Sequence, residues 1–300
     1  MRRPLNIILD VTSRCNLKCR MCYFSGTDEL RFKPYDAPTP PRGTMPLETF
    51  THVADQLFPH AWRVALACAA EPLMHPAFRE VLAIAATHRV PDLWFPTNLL
   101  LLTEATSRAI VDAGVRTVGV SIDGVDAATY ESIRTGARWD RVLDRLELLK
   151  RVRDGRGSKL PRLRLIFTWM RSNFDHLRRL PELASRHGFS ELDVRFVSPT
   201  VGVDNSAELL AGHDRLELDA ALEATARDAV RRGIRLTSFP EFTSSHRRTL
   251  VGKARHRVWL LRAGIDRPEY WRHAAHERAV GCGYPLATYV IRPNGAVFPC

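Results

Sequence analysis

Apolar and polar positions along the chain follow two periods in turn. Short Val-, Ile- and Leu-rich runs, which read as strands, occur at Leu5 to Leu9, Val64 to Cys68, Leu93 to Phe95, Val115 to Ile122, Leu163 to Thr168, Leu192 to Val197 and Ile234 to Thr237. Between them apolar residues recur at helical spacing. Phe50, Val53, Leu57 and Phe58 follow Thr44 and Pro46, and Phe78, Val81, Leu82 and Ala85 fall within Pro76 to His88. Further helices are predicted from Thr103 to a C-cap at Gly114, over Ala127 to Ile133, over Trp139 to Val152, from Phe174 to His187, and from Leu216 to Arg232.

Strand–helix alternation with short turns argues an α/β fold, a parallel sheet covered by helices. Right-handed crossovers curl such a series into a full or partial barrel, and ligands gather at the C-terminal ends of its strands. Two stretches break the rhythm. Thr27 to Arg42, with Pro34, Pro38, Pro40 and Pro41, reads as an irregular excursion after the first strand, either a lid or a long connection. Beyond Pro240 the alternation lapses until Asn294-Gly295, a strong hairpin turn between Tyr289 to Ile291 and Ala296 to Phe298.

Composition narrows the class. The chain has 300 residues, 45% hydrophobic and 26% charged, as in a globular protein with a sizeable core. It has no apolar run long enough to cross a membrane, and the opening MRRPLNIILD is too short in its apolar part for a signal peptide. No membrane partner is therefore expected. The net charge of +11 raises the question of nucleic acid, but only Glu241 to Gly281 is dense in basic residues, with nine Arg or Lys against four acids. There Trp259, Tyr270 and Trp271 intersperse with arginines, which reads either as a connector packed on the barrel or as a polynucleotide footprint.

The candidate chemistry sits after the first strand, in LDVTSRCNLKCRMCYFSG. It holds three of the six cysteines, Cys15, Cys19 and Cys22, spaced C-x3-C-x2-C. Three thiolates on one short loop suit three irons of a cubane cluster and leave the fourth iron open for substrate or cofactor. A zinc site and a redox thiol pair at Cys19 and Cys22 are the alternatives. Zinc normally wants four protein ligands, and no His or fourth Cys lies near in sequence; a thiol pair leaves Cys15 unexplained. Three thiols on one loop require a reducing compartment, so the cytoplasm is the expected location.

This loop resembles the cluster loop of the radical S-adenosylmethionine (SAM) superfamily, C-x3-C-x-aromatic-C, with Met21 at the aromatic position. Three further motifs follow in the family's order. Ala69-Ala70-Glu71-Pro72 stands where the family has Gly-Gly-Glu-Pro, Thr97-Asn98 resembles Thr-Asn-Gly, and Ser121-Ile122-Asp123-Gly124 resembles Ser-x-Asp-Gly. Together they cover about Leu5 to Val197. The resemblance implies a partial (β/α)6 TIM-like barrel over residues 1–240, binding a 4Fe–4S cluster through Cys15, Cys19 and Cys22. It also implies that Ala69, Ala70 and Glu71 meet the amino group of SAM. Asn98 would orient cofactor or substrate, or act as a cap. Ser121 would contact the SAM carboxylate or ribose, and Arg134 would pair with that carboxylate unless it is a surface arginine. Asp123 would be structural or orient substrate. Thr168 and Arg195, at the next two strand ends, face either the substrate chamber or solvent.

The tail divides into a basic connector, 241–281, and a short extension, 282–300, ending in the hairpin. Cys282 and Cys300 frame the pattern C-x12-G-x4-C, which resembles the opening of the SPASM auxiliary-cluster domain. The two could belong to a second iron–sulfur cluster, with a disulfide as the alternative. Two thiolates cannot fill such a site alone, so a truncated chain is the favoured expectation. The implied activity is reductive cleavage of SAM and abstraction of a substrate hydrogen, with flavodoxin or ferredoxin as electron donor. The substrate expected is a ribosomal peptide, with a small metabolite such as an aminoglycoside next. A metal-containing nucleic-acid-binding protein and a maturation scaffold are the non-enzymatic readings.

Overall fold

The structure, a computed structural model, describes residues 5–22, 43–67, 70–197, 203–238, 288–293 and 297–299. Seven strands form the parallel body of one sheet: β1 (Leu5–Leu9), β3 (Ala61–Ala65), β4 (Asp92–Thr97), β5 (Thr117–Ser121), β7 (Arg162–Trp169), β8 (Glu191–Phe196) and β9 (Arg235–Ser238). A separate two-stranded ribbon pairs β2 (Lys18–Cys19) with β6 (Arg134–Thr135). Helices α1 (Leu47–Leu57), α2 (Phe78–Thr87), α3 (Glu104–Asp112), α4 (Ala127–Ile133), α5 (Trp139–Gly155), α6 (Leu180–Arg186) and α7 (Arg215–Arg231) fill the crossovers. This is the predicted α/β partial barrel. The described strands run in a single order with β9 at one end, so the barrel is open on that side.

Register explains why the strands mix apolar and charged residues. Ile7 pairs with Val64, Val64 with Leu93, Phe95 with Val118, Val118 with Leu163 and Leu165 with Leu192. All are buried, forming the face covered by helices. The alternate positions face the other way, and they carry charge. Arg63 and Arg164 lie over the Trp94 ring at 5.1 and 5.3 Å, while Glu191 pairs with Arg162, Arg164 and Arg235. This inward charge explains a shift in the second strand. The apolar run began at Val64, but pairing with β1 starts at Ala61, because Arg63 spends its charge on Asp92 inside the barrel. Cys68 lies outside the described residues.

The predicted helix from Phe174 to His187 is two pieces. A 3₁₀ stretch, Arg171–Arg179, precedes α6. Asn173 leaves helical geometry and turns its amide into bonds with the backbone of Met170, Asp123 and Thr168. Side-chain competition of this kind favours turns over helix interiors. Pro181 then starts the next helix, where its missing N–H costs nothing.

The hairpin strands of the tail are present as β10 (Thr288–Ile291) and β11 (Val297–Pro299), antiparallel to each other. Their turn, Asn294-Gly295, is outside the described residues, as are Cys282, Cys300 and the basic segment 241–281. The sequence did not indicate where the hairpin would dock. β10 adds to the edge of β1 in parallel, from Asn6↔Thr288 to Leu9↔Ile291. Asp10 donates its N–H to the Ile291 carbonyl at 2.9 Å, and Arg292 reaches the Asp10 carboxylate at 2.6 Å.

Candidate cluster and cofactor site

The cysteine loop leaves the C-terminal end of β1 and is pinned on several sides. Ser13 N–H donates to the Gly43 carbonyl, and Gly43 N–H returns a bond to the Ser13 hydroxyl at 2.8 Å. The Arg14 carbonyl accepts the Glu71 N–H at 3.0 Å. The Asn16 side-chain oxygen accepts the Asn98 amide at 2.8 Å. Cys19 then pairs with Arg134 across the β2–β6 ribbon, and the Cys22 N–H turns back onto the Cys19 carbonyl. Backbone satisfied at so many points holds a loop in one conformation. Met21, at the position usually aromatic, packs with Ile133, Met170 and Val197, an apolar cover beside the thiols.

None of Cys15, Cys19 and Cys22 is joined in a disulfide. Burial pushes the Cys19 thiol up to about 11, with Arg134 pulling the other way, and burial likewise raises Cys15. Among the described residues no group of three or more His, Cys, Asp or Glu is arranged to hold a single metal ion. A cubane makes a different demand, since each thiolate takes its own iron.

The neighbouring strand ends supply the polar wall. Glu71 is buried at 2% exposure and caps a 3₁₀ turn, Pro72–Met74, by accepting the Leu73 N–H. The same oxygen, Oε1, accepts the Thr97 hydroxyl at 2.6 Å, and Oε2 accepts the Asn98 N–H at 2.7 Å. A carboxylate offers about four acceptor positions, so one on Oε2 is left for a donor. Burial raises the Glu71 carboxyl to about 7 against the pull of those three bonds. Asn98 is buried too, with its amide spent on Asn16 and Leu100. Leu99, where the resembled motif has glycine, takes φ 68° and is fully buried.

Ser121 is half-buried at the end of β5. Asp123 and Arg134 meet in an ion pair at 2.7 Å, with Asp123 fully buried and Arg134 at 8% exposure. Arg134 is therefore no surface residue. Asp123 also accepts the Thr168 N–H at 2.7 Å. Gly124 is required by close approach: a Cβ there would stand 2.6 Å from the Tyr130 backbone nitrogen. Arg195 is bidentate to Asp193 and largely exposed. Ala70 is half-buried, while Ala69 is outside the described residues.

The structure gives Thr97 of the Thr97-Asn98 motif a role and brings in Asn16, Asn173 and Tyr130, which the motifs did not single out. Thr97 anchors Glu71, Asn16 ties the cysteine loop to β4, and Asn173 braces Asp123. Tyr130 lies buried in α4, its hydroxyl without a hydrogen-bond partner. Asn16 and Asn173 gave no local signal, because each gains its partner across the fold. Arg134 Nε is a second buried atom lacking such a partner. Three cysteine thiols, a spare carboxylate position and orphaned donors at one barrel mouth fit a cluster with a polar cofactor beside it.

A parallel α/β barrel with this loop at its rim defines a class, and the family match agrees. The chain belongs to the radical SAM superfamily, whose family model matches residues 9–157. That family uses a 4Fe–4S cluster and SAM. The chain is 27% identical over 148 residues to a GTP 3',8-cyclase of Microcystis aeruginosa, covering 48% of this chain and 43% of that protein. It is 26% identical over 131 residues to the antilisterial bacteriocin subtilosin biosynthesis protein AlbA of Bacillus subtilis, covering 44% of this chain and 27% of that protein. In fold it is similar to Streptococcus suis SuiB, solved bound to the precursor peptide SuiA, with TM-score 0.68 and 15% identity over 100% of this chain and 60% of that one. The chain thus spans less than two thirds of each. Among the described residues no helix is long and apolar enough to cross a membrane.

Proposed function

We propose that this chain carries a 4Fe–4S cluster on Cys15, Cys19 and Cys22 and cleaves SAM reductively to abstract a hydrogen from a ribosomally made peptide. Held by Cys15, Cys19 and Cys22, the cluster would supply the one electron that reductive cleavage of the SAM sulfonium carbon–sulfur bond requires. The residues of the chain bind, orient and shield. Glu71 takes the SAM ammonium on its spare Oε2 position, flanked by Ala69 and Ala70. Ser121 meets the carboxylate or ribose, Arg134 turns its Nε to the carboxylate, and Asp123 fixes Arg134. Asn98 holds the cysteine loop against this wall through Asn16.

The observation that carries the reading is the placing of three cysteine thiols beside the Glu71–Thr97–Asn98 array on one strand-end rim. Peptide substrates are favoured by two similarities already described, to a bacteriocin biosynthesis protein and to a fold solved with its precursor peptide. A small metabolite is the second reading, favoured by the likeness to a GTP cyclase. The electron donor is a flavodoxin or ferredoxin, and the setting is the cytoplasm. If the hairpin opens an auxiliary domain, Cys282 and Cys300 are ligands to a second cluster.

Anaerobic reconstitution followed by a 5′-deoxyadenosine assay tests the chemistry. Turnover is expected with dithionite, and loss of both iron and turnover in Cys15→Ala, Cys19→Ala and Cys22→Ala. A wild type that holds its cluster yet makes no 5′-deoxyadenosine overturns the enzyme. Hydrogen loss from a peptide encoded beside the gene, and none from small metabolites, decides between the substrates.

A further inference from the structure

Arg134 stands directly opposite Cys19 in the β2–β6 ribbon. One terminal guanidinium nitrogen, Nη1, lies 3.9 Å from the Cys19 sulfur, and the other, Nη2, lies 2.7 Å from Oδ2 of Asp123. Asp123 is held from behind, its Oδ1 by the Thr168 N–H and its carbonyl by the Asn173 amide. A buried ion pair therefore backs one of the three thiols, with its cation toward sulfur and its anion behind. Backbone pairing on the same rung sets the two residues side by side, and the Asp123 ion pair holds the guanidinium there.

We propose that Arg134, opposed by Asp123, is a positioning residue that sets the reduction potential of the cluster bound through Cys19. This rests on reading Cys15, Cys19 and Cys22 as the cluster ligands. A cluster gains negative charge when reduced, and its potential follows net charge and hydrogen bonds to its sulfurs. Arg134 supplies both a positive charge and an N–H beside a ligand sulfur, in a site where burial weakens screening. Asp123 cancels part of that field. The two residues thus act on the potential with opposite signs, although both belong to one structural brace. A purely structural pair would behave otherwise: breaking it from either side loosens the same loop and moves cluster content in the same direction.

The experiment is an anaerobic dithionite titration of reconstituted protein, monitored by electron paramagnetic resonance, with iron content measured alongside. Arg134→Gln is expected to lower the reduced-to-oxidised ratio at fixed poise about tenfold, which is about 59 mV for one electron. Asp123→Asn keeps an acceptor for the Thr168 N–H while freeing the full cation, and is expected to raise the ratio. The double variant falls between the singles. Arg134→Lys keeps the charge without the planar fork and shifts the ratio less than Arg134→Gln. Should Arg134→Gln fail to fold or load iron, Arg134→Lys and Asp123→Asn decide by the same opposed shifts. Singles that leave the ratio unchanged, or move it in the same direction, overturn this inference alone. A wild type that takes up no cluster overturns it together with the proposed function.

Discussion

Thr97 donates its hydroxyl to Oε1 of Glu71 at 2.6 Å, joining residues 26 positions apart within the buried wall of the site. The same hydroxyl oxygen accepts the Leu99 N–H at 2.9 Å, so one side chain orders both the carboxylate and the turn that follows β4. Thr97→Val keeps the shape and deletes both bonds. It is expected to cost about 2 kcal/mol, since buried hydrogen bonds to an ionisable group exceed ordinary ones. Urea unfolding checks this, and a midpoint equal to that of the wild type contradicts it.

Glu71 predicts a pH dependence. Burial holds its carboxyl at about 7 in the folded protein, against a usual 4.5. Between those values the folded form keeps a proton that the unfolded form has released, so stability falls as pH rises through that window. The full effect is on the order of 3 kcal/mol. Glu71→Gln carries no ionising group there and is expected to flatten the curve. Denaturation of cluster-free protein from about pH 5 to about pH 8 reads the difference; parallel curves would contradict it.

Gly124 lets the Asp123 loop lie against the backbone of α4. A Cβ there meets backbone atoms of Tyr130 and Thr129 at 2.6 to 3.2 Å, none of which can swing away. Gly124→Ala is expected to destabilise by about 1–3 kcal/mol, as overpacking does. It also displaces Arg134, so iron loading should fall in the same variant. Normal melting with normal iron content would show that α4 accommodates the methyl group freely.

Arg292 ties the tail hairpin to Asp10, only five positions before Cys15. Arg292→Met leaves the Asp10 carboxylate, 2% exposed, without that guanidinium. The expected cost is about 2 kcal/mol, while pairing the change with Asp10→Asn recovers part of it. A double-mutant cycle measures the coupling; strictly additive effects would show that the contact contributes nothing.

Much of this was legible in the order of residues. The helix Ala127–Ile133 falls where the apolar spacing put it, and strands β5, β7 and β8 lie within a residue or two of their predicted ends. Local preference decides these, because burial of one face and the nearby caps act over a few residues. The 3₁₀ stretch ahead of α6 was hidden, since Asn173, just before the predicted start at Phe174, finds the backbone of Asp123 and Thr168 only in the folded chain.

The sequence by itself determined the cysteine loop, the strand-end motifs and the α/β alternation that puts them on one rim, because spacing and periodicity are properties of the chain alone. Tertiary structure decided which groups face each other there. Glu71 is spent largely on Thr97 and Asn98, Arg134 is buried between Asp123 and Cys19, and the hairpin lengthens the sheet at β1. Those choices depend on contacts between segments far apart in the chain, where burial strengthens a polar pairing and makes an unpaired group costly. No local pattern carries that information.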